Sequence, residues 1–91
     1  MELVRRYRIR GRVQGVGYRY FTRRIALRLG VRGWVRNVPN GDVEVHAEAD
    51  STILARFREE LERGPTSSAV DEIIEETTTR TEHYSSFEIR G

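Results

Sequence analysis

Apolar and charged positions alternate at the start of the chain: Tyr7, Ile9, Gly11 and Val13 interleave with Arg6, Arg8, Arg10 and Arg12. A period of two with one polar face predicts a half-exposed strand. The stretch Gly11–Gly17 then carries three glycines in seven residues, too many for a strand interior, and predicts a tight loop. From Tyr18 to Leu29 the period lengthens. Phe21, Ile25 and Leu29 fall at i, i+4 and i+8, flanked by Tyr18 and Ala26. That is one face of a helix, and Gly30 is placed to cap its C-terminus.

Residues 31–38 return to a strand pattern, and Pro39, Asn40, Gly41 and Asp42 predict a turn, because Asn-Gly accepts positive φ at little cost. Val43, Val45, Ala47 and Ala49 alternate with Glu44, His46, Glu48 and Asp50, so a third strand follows by hairpin. Asp50 or Ser51 caps a second helix. Its apolar face is Ile53, Phe57 and Leu61 with Leu54 beside them, and Gly64-Pro65 ends it. Val70–Thr79, rich in Ile and Thr, reads as a fourth strand. Tyr84–Ile89 adds a short fifth, with Phe87 and Ile89 on one face.

The order β-α-β-β-α-β, with the possible short extra strand, predicts an α+β fold. It is a ferredoxin-like split β-α-β sandwich, with two helices on one face of a mainly antiparallel sheet. Right-handed crossovers make strands one and two run the same way, with strand three inserted between them. The loop after strand one and the end of strand two then share one sheet edge. The glycine loop and Arg36-Asn37 become neighbours there, beside the N-terminus of the first helix. If the fifth strand runs parallel to the second, the carboxylate of Gly91 ends on that edge within reach of Arg19.

Length supports a single domain over residues 1–91. A chain this short buries about 60–65% of its unfolded surface, so its core is limited. Without cysteine, disulfides and thiolate–metal sites are excluded. No apolar run is long enough to cross a membrane, and residues 1–6 do not read as a signal peptide. A soluble, cytoplasmic, monomeric protein is expected. The net charge is only +2, and all sixteen basic residues are arginine. Their distribution matters more than their sum. Residues 1–36 hold eleven arginines and one acid, Glu2, whereas the remainder holds five arginines and thirteen acids. The first third of the chain attracts an anion.

The shared edge has phosphate-binding chemistry. Glycines at 15 and 17 let successive N–H groups converge on one anion, at the positive end of a helix. Arg19 adds a permanently charged, bidentate donor. The loop is not a Walker A sequence, which needs Gly-Lys-Ser/Thr. It is not a dinucleotide fingerprint either, because position 20 is Tyr. On the residues alone, a Gly-rich turn before a helix fits a purely structural turn as well as an anion loop. Asn37 likewise fits a residue that bonds its own turn.

The run Gly11-Arg-Val-Gln-Gly-Val-Gly-Tyr-Arg19, followed by Ala26, Gly30 and Gly33-Trp-Val-Arg-Asn37 with Gly41, resembles the acylphosphatase family. Both signature blocks and their spacing agree, and the resemblance extends over essentially the whole chain. Asn40 replaces the family's usual Asp before glycine. The resemblance implies a catalytic arginine at Arg19 and a catalytic asparagine at Asn37. It implies phosphate held by the backbone of Gln14, Gly15, Val16, Gly17, Tyr18 and Arg19, and attacking water oriented by Asn37. It further implies a small acyl phosphate as substrate, carboxylate and inorganic phosphate as products, and no metal or cofactor. An acyl phosphate has a good leaving group, so charge stabilisation and alignment suffice. Asn cannot be the base, because its amide is not basic. The backbone of Gln14 is expected to matter, rather than its side chain. Tyr18 and Trp34 are expected to pack, Arg36 and the acids Glu59, Glu60 and Glu62 to be solvated, and His46 to face away from the helices.

The competing class is RNA binding on the open sheet face, through Arg6, Arg8, Arg10 and Arg12. Strand one lacks stacking aromatics on that face and strand three is acidic there, so no nucleic-acid partner is expected.

Overall fold

The first strand, β1 (Glu2–Arg12), lies inside the sheet and sends Tyr7 and Ile9 into the core, both without solvent exposure. A computed structural model describes residues 2–80 and 82–91. In chain order, β1 is followed by α1 (Tyr18–Leu29), β2 (Arg32–Asn37), β3 (Val43–Asp50), α2 (Ser51–Arg63), β4 (Ala69–Thr78) and β5 (Phe87–Ile89). The five strands lie in the order β4-β1-β3-β2-β5. β3 pairs antiparallel to both β1 and β2, β4 pairs antiparallel to β1, and β5 pairs parallel to β2. This is the expected α+β sandwich, with β3 between β1 and β2.

Three local expectations need correction. Gly11 belongs to β1 rather than to the loop. The β1–β4 register shifts between Arg10 and Gly11, and Gly11 has a φ of 130°. A Cβ there would overlap the carbonyl oxygen of Ala69. The glycine therefore serves a bulge and a close strand approach, which alternation cannot reveal. In α1 the buried residues are Tyr18, Thr22, Ile25 and Ala26, with Phe21 and Leu29 only partly covered. Thr22 is polar, so a hydrophobic period does not mark it as buried. Its hydroxyl is satisfied locally by donating to the Tyr18 carbonyl at 2.9 Å. The fifth strand begins at Phe87, not at Tyr84, although Tyr84 is itself buried.

α2 is capped by Asp50, whose carboxylate accepts from the Ile53 amide at 2.9 Å. Leu54, Phe57 and Leu61 face the sheet. Phe57 makes edge-to-face contacts with Tyr7 and Phe87, with centroids 6.0 and 6.2 Å apart. One ring thereby joins α2 to both the middle and the edge of the sheet. Such a fully buried ring contributes about 1.5–3 kcal/mol through apolar burial alone.

On the face opposite the helices Arg6 and Arg10 are exposed, as expected, but they are ion-paired rather than free. Arg6 pairs with Glu76, Arg8 and Arg10 pair with Asp42, and Arg10 reaches Glu72. Glu44 and Glu48 on β3 are buried, at 5% and 7% exposure, against Arg36 and against Arg32 and Arg80. Neighbouring strands set arginine stems over these carboxylates, and the stems cover them. Trp34 stacks on His46 at 4.3 Å, with Arg36 and Arg90 each 5.3 Å from its ring centre. Trp34 therefore packs, and Arg36 is ion-paired rather than free.

Candidate active site

The loop leaving β1 starts from a buried anchor, Val13, and turns through Gly15 at φ 75° and Gly17 at φ 80°. Both lie in the left-handed region that glycine enters without penalty. Nothing lies within 4 Å of a Cβ built on either residue, so the loop's outer surface is open. Gly17 is the N-cap of α1 and brings no side-chain cap, and the first turn holds no acid. The first intrahelical bond is from the Phe21 amide to the Gly17 carbonyl, at 3.0 Å. The N–H groups of Tyr18, Arg19 and Tyr20 precede it, so they have no acceptor within the helix. A helix start with neither cap nor carboxylate leaves its positive end available to an anion.

Tyr18 fixes the direction of that helix. Its ring is 1% exposed, and its hydroxyl donates to the Leu61 carbonyl on α2 at 2.6 Å. Burial pushes the phenol's pKa upward, so it remains a donor across the working pH range. With Tyr18 turned inward, Arg19 stays partly exposed beside the loop. Nη1 of Arg19 donates to the main-chain oxygen of Gly91 at 2.7 Å, well inside the reach expected of this pair. One turn on, Nε of Arg23 donates to the Phe87 carbonyl at 3.2 Å. The two arginines tie α1 to β5 and the residues after it.

Asn37 is the last residue of β2. Its Oδ1 is buried and accepts no hydrogen bond from any described residue. Buried polar atoms are paired in the great majority of cases; among the described residues Arg5 Nε, Tyr7 Oη and Tyr84 Oη share its unpaired state, and Asn37 Oδ1 is the one at the end of β2. The turn beyond it closes with the Val38 amide on the Asp42 carbonyl at 3.0 Å and the Gly41 amide on the Val38 carbonyl at 3.1 Å. Gln14, expected to contribute backbone only, reaches across with its side chain. Its Nε2 donates to the carbonyls of both Val38 and Asp42, at 2.8 Å each. Sequence spacing carried no signal for this contact, because the partners are main-chain atoms 24 and 28 residues away.

The end of β2 is therefore flanked on two sides. Gln14 binds the glycine loop to it, and the Arg90 amide extends the β5 pairing by donating to the Val35 carbonyl at 2.8 Å. A Cβ built on Gly91 would lie 3.8 Å from Cβ of Arg36. The loop, Arg19, Gly91 and the end of β2 gather on one sheet edge. Arg36 is committed to Glu44, with Nη2 at 2.7 Å. Burial alone raises the Glu44 carboxyl, but bonds from Arg36 and His46 outweigh it and hold the group below its usual range. His46 is pushed below its ordinary value, mainly by burial, with Glu44 opposing. Among the described residues, no group of three His, Asp or Glu is arranged to hold a metal ion. Nor is any helix among the described residues long and apolar enough to cross a membrane.

Glu60 departs from the solvated face expected for α2, because it accepts from Arg63 at 2.9 Å and also pairs with Arg28. These residues line a concavity of about 240 Å³ by the C-terminal end of α1, away from the glycine loop.

Fold and edge together define a small α+β sandwich with an arginine-bearing, anion-receptive corner. The family model for acylphosphatase matches residues 5–89, and the chain belongs to the acylphosphatase family. It is 49% identical to an acylphosphatase of Thermotoga maritima over 84 residues, 91% of each chain. It is 39% identical to one from Pasteurella multocida over 88 residues, covering 97% and 98% of the two chains. Among solved structures, the acylphosphatase from Bacillus subtilis superposes with a TM-score of 0.93 at 35% identity over all of both chains. That from Coxiella burnetii gives 0.91 at 35% identity, covering 98% of this chain and 93% of its own.

Proposed function

We propose that the chain hydrolyses the carboxyl–phosphate bond of small acyl phosphates. Its enzyme class, a hydrolase of the acylphosphatase family, follows from family membership. The residue roles rest on one observation above all: the unpartnered buried Oδ1 of Asn37 on the edge where α1 opens its amides. Because that oxygen has no protein partner, the amide can turn it towards a water molecule without breaking a protein hydrogen bond.

In this reading the phosphoryl group lies in the loop of residues 14–19, bonded by main-chain N–H groups and by the guanidinium of Arg19. Nη1 keeps its bond to Gly91, and the planar fork retains other donors for the phosphate oxygens. Asn37 Oδ1 accepts a hydrogen bond from water and sets its approach to phosphorus. The bond between phosphorus and the bridging oxygen breaks, and its electron pair leaves on that oxygen with the carboxylate. The water oxygen forms the new P–O bond, and its proton passes to a phosphate oxygen of the substrate. Acyl phosphate and water thus give carboxylate and protonated inorganic phosphate. Alignment and charge stabilisation supply the rate, and the chemistry is proposed to need no metal.

Hydrolysis of benzoyl phosphate in the presence of a chelator tests the reading. Activity is expected in the native chain, and its absence in a folded protein overturns the proposal.

A further inference from the structure

Gln14 uses both hydrogens of its carboxamide on the β2–β3 hairpin. The two acceptors, the carbonyls of Val38 and Asp42, each lie 2.8 Å from Nε2. They belong to the pair of residues that closes the hairpin neck, since the Val38 amide already donates to Asp42. Val38 directly follows Asn37. The hairpin is held from its other side as well: the Asp42 carboxylate lies 3.4 Å from both Arg8 and Arg10 of β1 and 3.2 Å from Nδ2 of Asn40. Those contacts hold the tip to the sheet. Among the described residues, Gln14 alone supplies a side-chain hydrogen bond from residues 14–19 to the hairpin.

We infer that Gln14 is a positioning residue for the hydrolysis, acting through Asn37. Its carboxamide sets the spacing between the phosphate loop and the strand end that presents Asn37 Oδ1. The chemistry selects glutamine. Two carbonyl oxygens require two donors from one nitrogen, which a carboxamide provides. Glutamate would present lone pairs to both carbonyls, methionine matches the length without a donor, and asparagine falls one methylene short. The loop's own amides remain free to bind phosphate, so loss of the side chain loosens the water-holding half of the site before the anion-holding half. Misplacement by a fraction of an ångström is enough to slow an in-line attack, since about 1 Å can cost 10²-fold.

This inference rests on the reading that Asn37 orients the water, and the experiment separates the two. Gln14→Met, Asn37→Ala and the double variant are assayed with benzoyl phosphate, with inorganic phosphate as competitive inhibitor. Gln14→Met is expected to lower kcat by roughly tenfold or more and to leave the phosphate inhibition constant within about threefold. The double variant should be no slower than Asn37→Ala, because groups acting as one unit do not add. Gln14→Asn should move kcat in the same direction, and it serves if the methionine variant does not fold. Near-native kcat in folded Gln14 variants overturns the inference, as do fully multiplicative losses or a phosphate constant that worsens as much as kcat. Native activity in Asn37→Ala instead removes the reading beneath it.

Discussion

Arg19 and Gly91, 72 residues apart in the chain, are joined by a hydrogen bond of 2.7 Å from the guanidinium to a main-chain oxygen. The bond gives the guanidinium a fixed orientation on the edge where the loop amides open. Part of the fork is thereby committed to protein, and on the proposed reading only a planar, multi-donor cation can serve this oxygen and a phosphate together.

Arg19→Ala should accordingly lose roughly 10²–10³ of kcat or more, comparable to loss of other anion-stabilising donors. Arg19→Lys should recover little of it, because an ammonium keeps the charge but not the fork. Turnover of benzoyl phosphate by the two folded variants checks this. A lysine variant close to native would show that charge alone is needed.

Gly17→Ala should destabilise the fold and weaken phosphate. The residue sits at φ 80° with open space around it, so the penalty is the left-handed backbone itself, about 1–2 kcal/mol. Relief of that strain would rotate the first amides of α1 away from the anion. Thermal unfolding together with phosphate inhibition reads both effects. A stable variant with native inhibition would contradict the role given to the loop.

Tyr18→Phe should separate stability from chemistry. It leaves the buried Leu61 carbonyl without its 2.6 Å donor, at a cost of about 1–3 kcal/mol. The ring still fills its site, so kcat should stay near native at a temperature where the protein is folded. Denaturant unfolding and steady-state kinetics provide the check, and a large kcat loss would place the phenol in the reaction.

Stability should decline as pH falls below neutrality. The folded pKa of His46 lies below the ordinary 6.5, chiefly through burial. The unfolded chain therefore takes up that proton first, and folding loses stability as pH drops from about 6.5 towards the depressed value. Glu44 adds a later decline. Despite the upward pull of burial, Arg36 and His46 hold its carboxyl below 4.5, so its contribution is present above that pH and fades as pH falls through the folded value. Melting curves at pH 7.5 and 5.5 should differ less for His46→Gln than for the native chain. An unchanged difference would assign the decline elsewhere.

Element order, the two helices and the crossed pairing of β3 with β1 and β2 were legible in the sequence, because hydrophobic period and turn residues are local properties. So was the glycine loop with Arg19 after it, and the handedness of crossovers brought Asn37 to the same edge. Other features depended on atoms far apart in the chain. Gly11 looks like part of a loop until Ala69 lies against it. Thr22 is a polar residue on a buried face, because its hydroxyl folds back on its own helix. The arginines of β1 read as a solvated row, and Arg6 and Arg10 are exposed, but their pairing and that of Arg8 with acids of β4 and the β2–β3 hairpin depends on the tertiary structure. The Gln14 bridge was likewise invisible, since its acceptors are carbonyls that every residue carries. Sequence alone determined which residues could bind an anion and where the chain would bend. Only the tertiary structure decided which charges were already neutralised, which donors were already used, and which acceptor at the site remained without a partner.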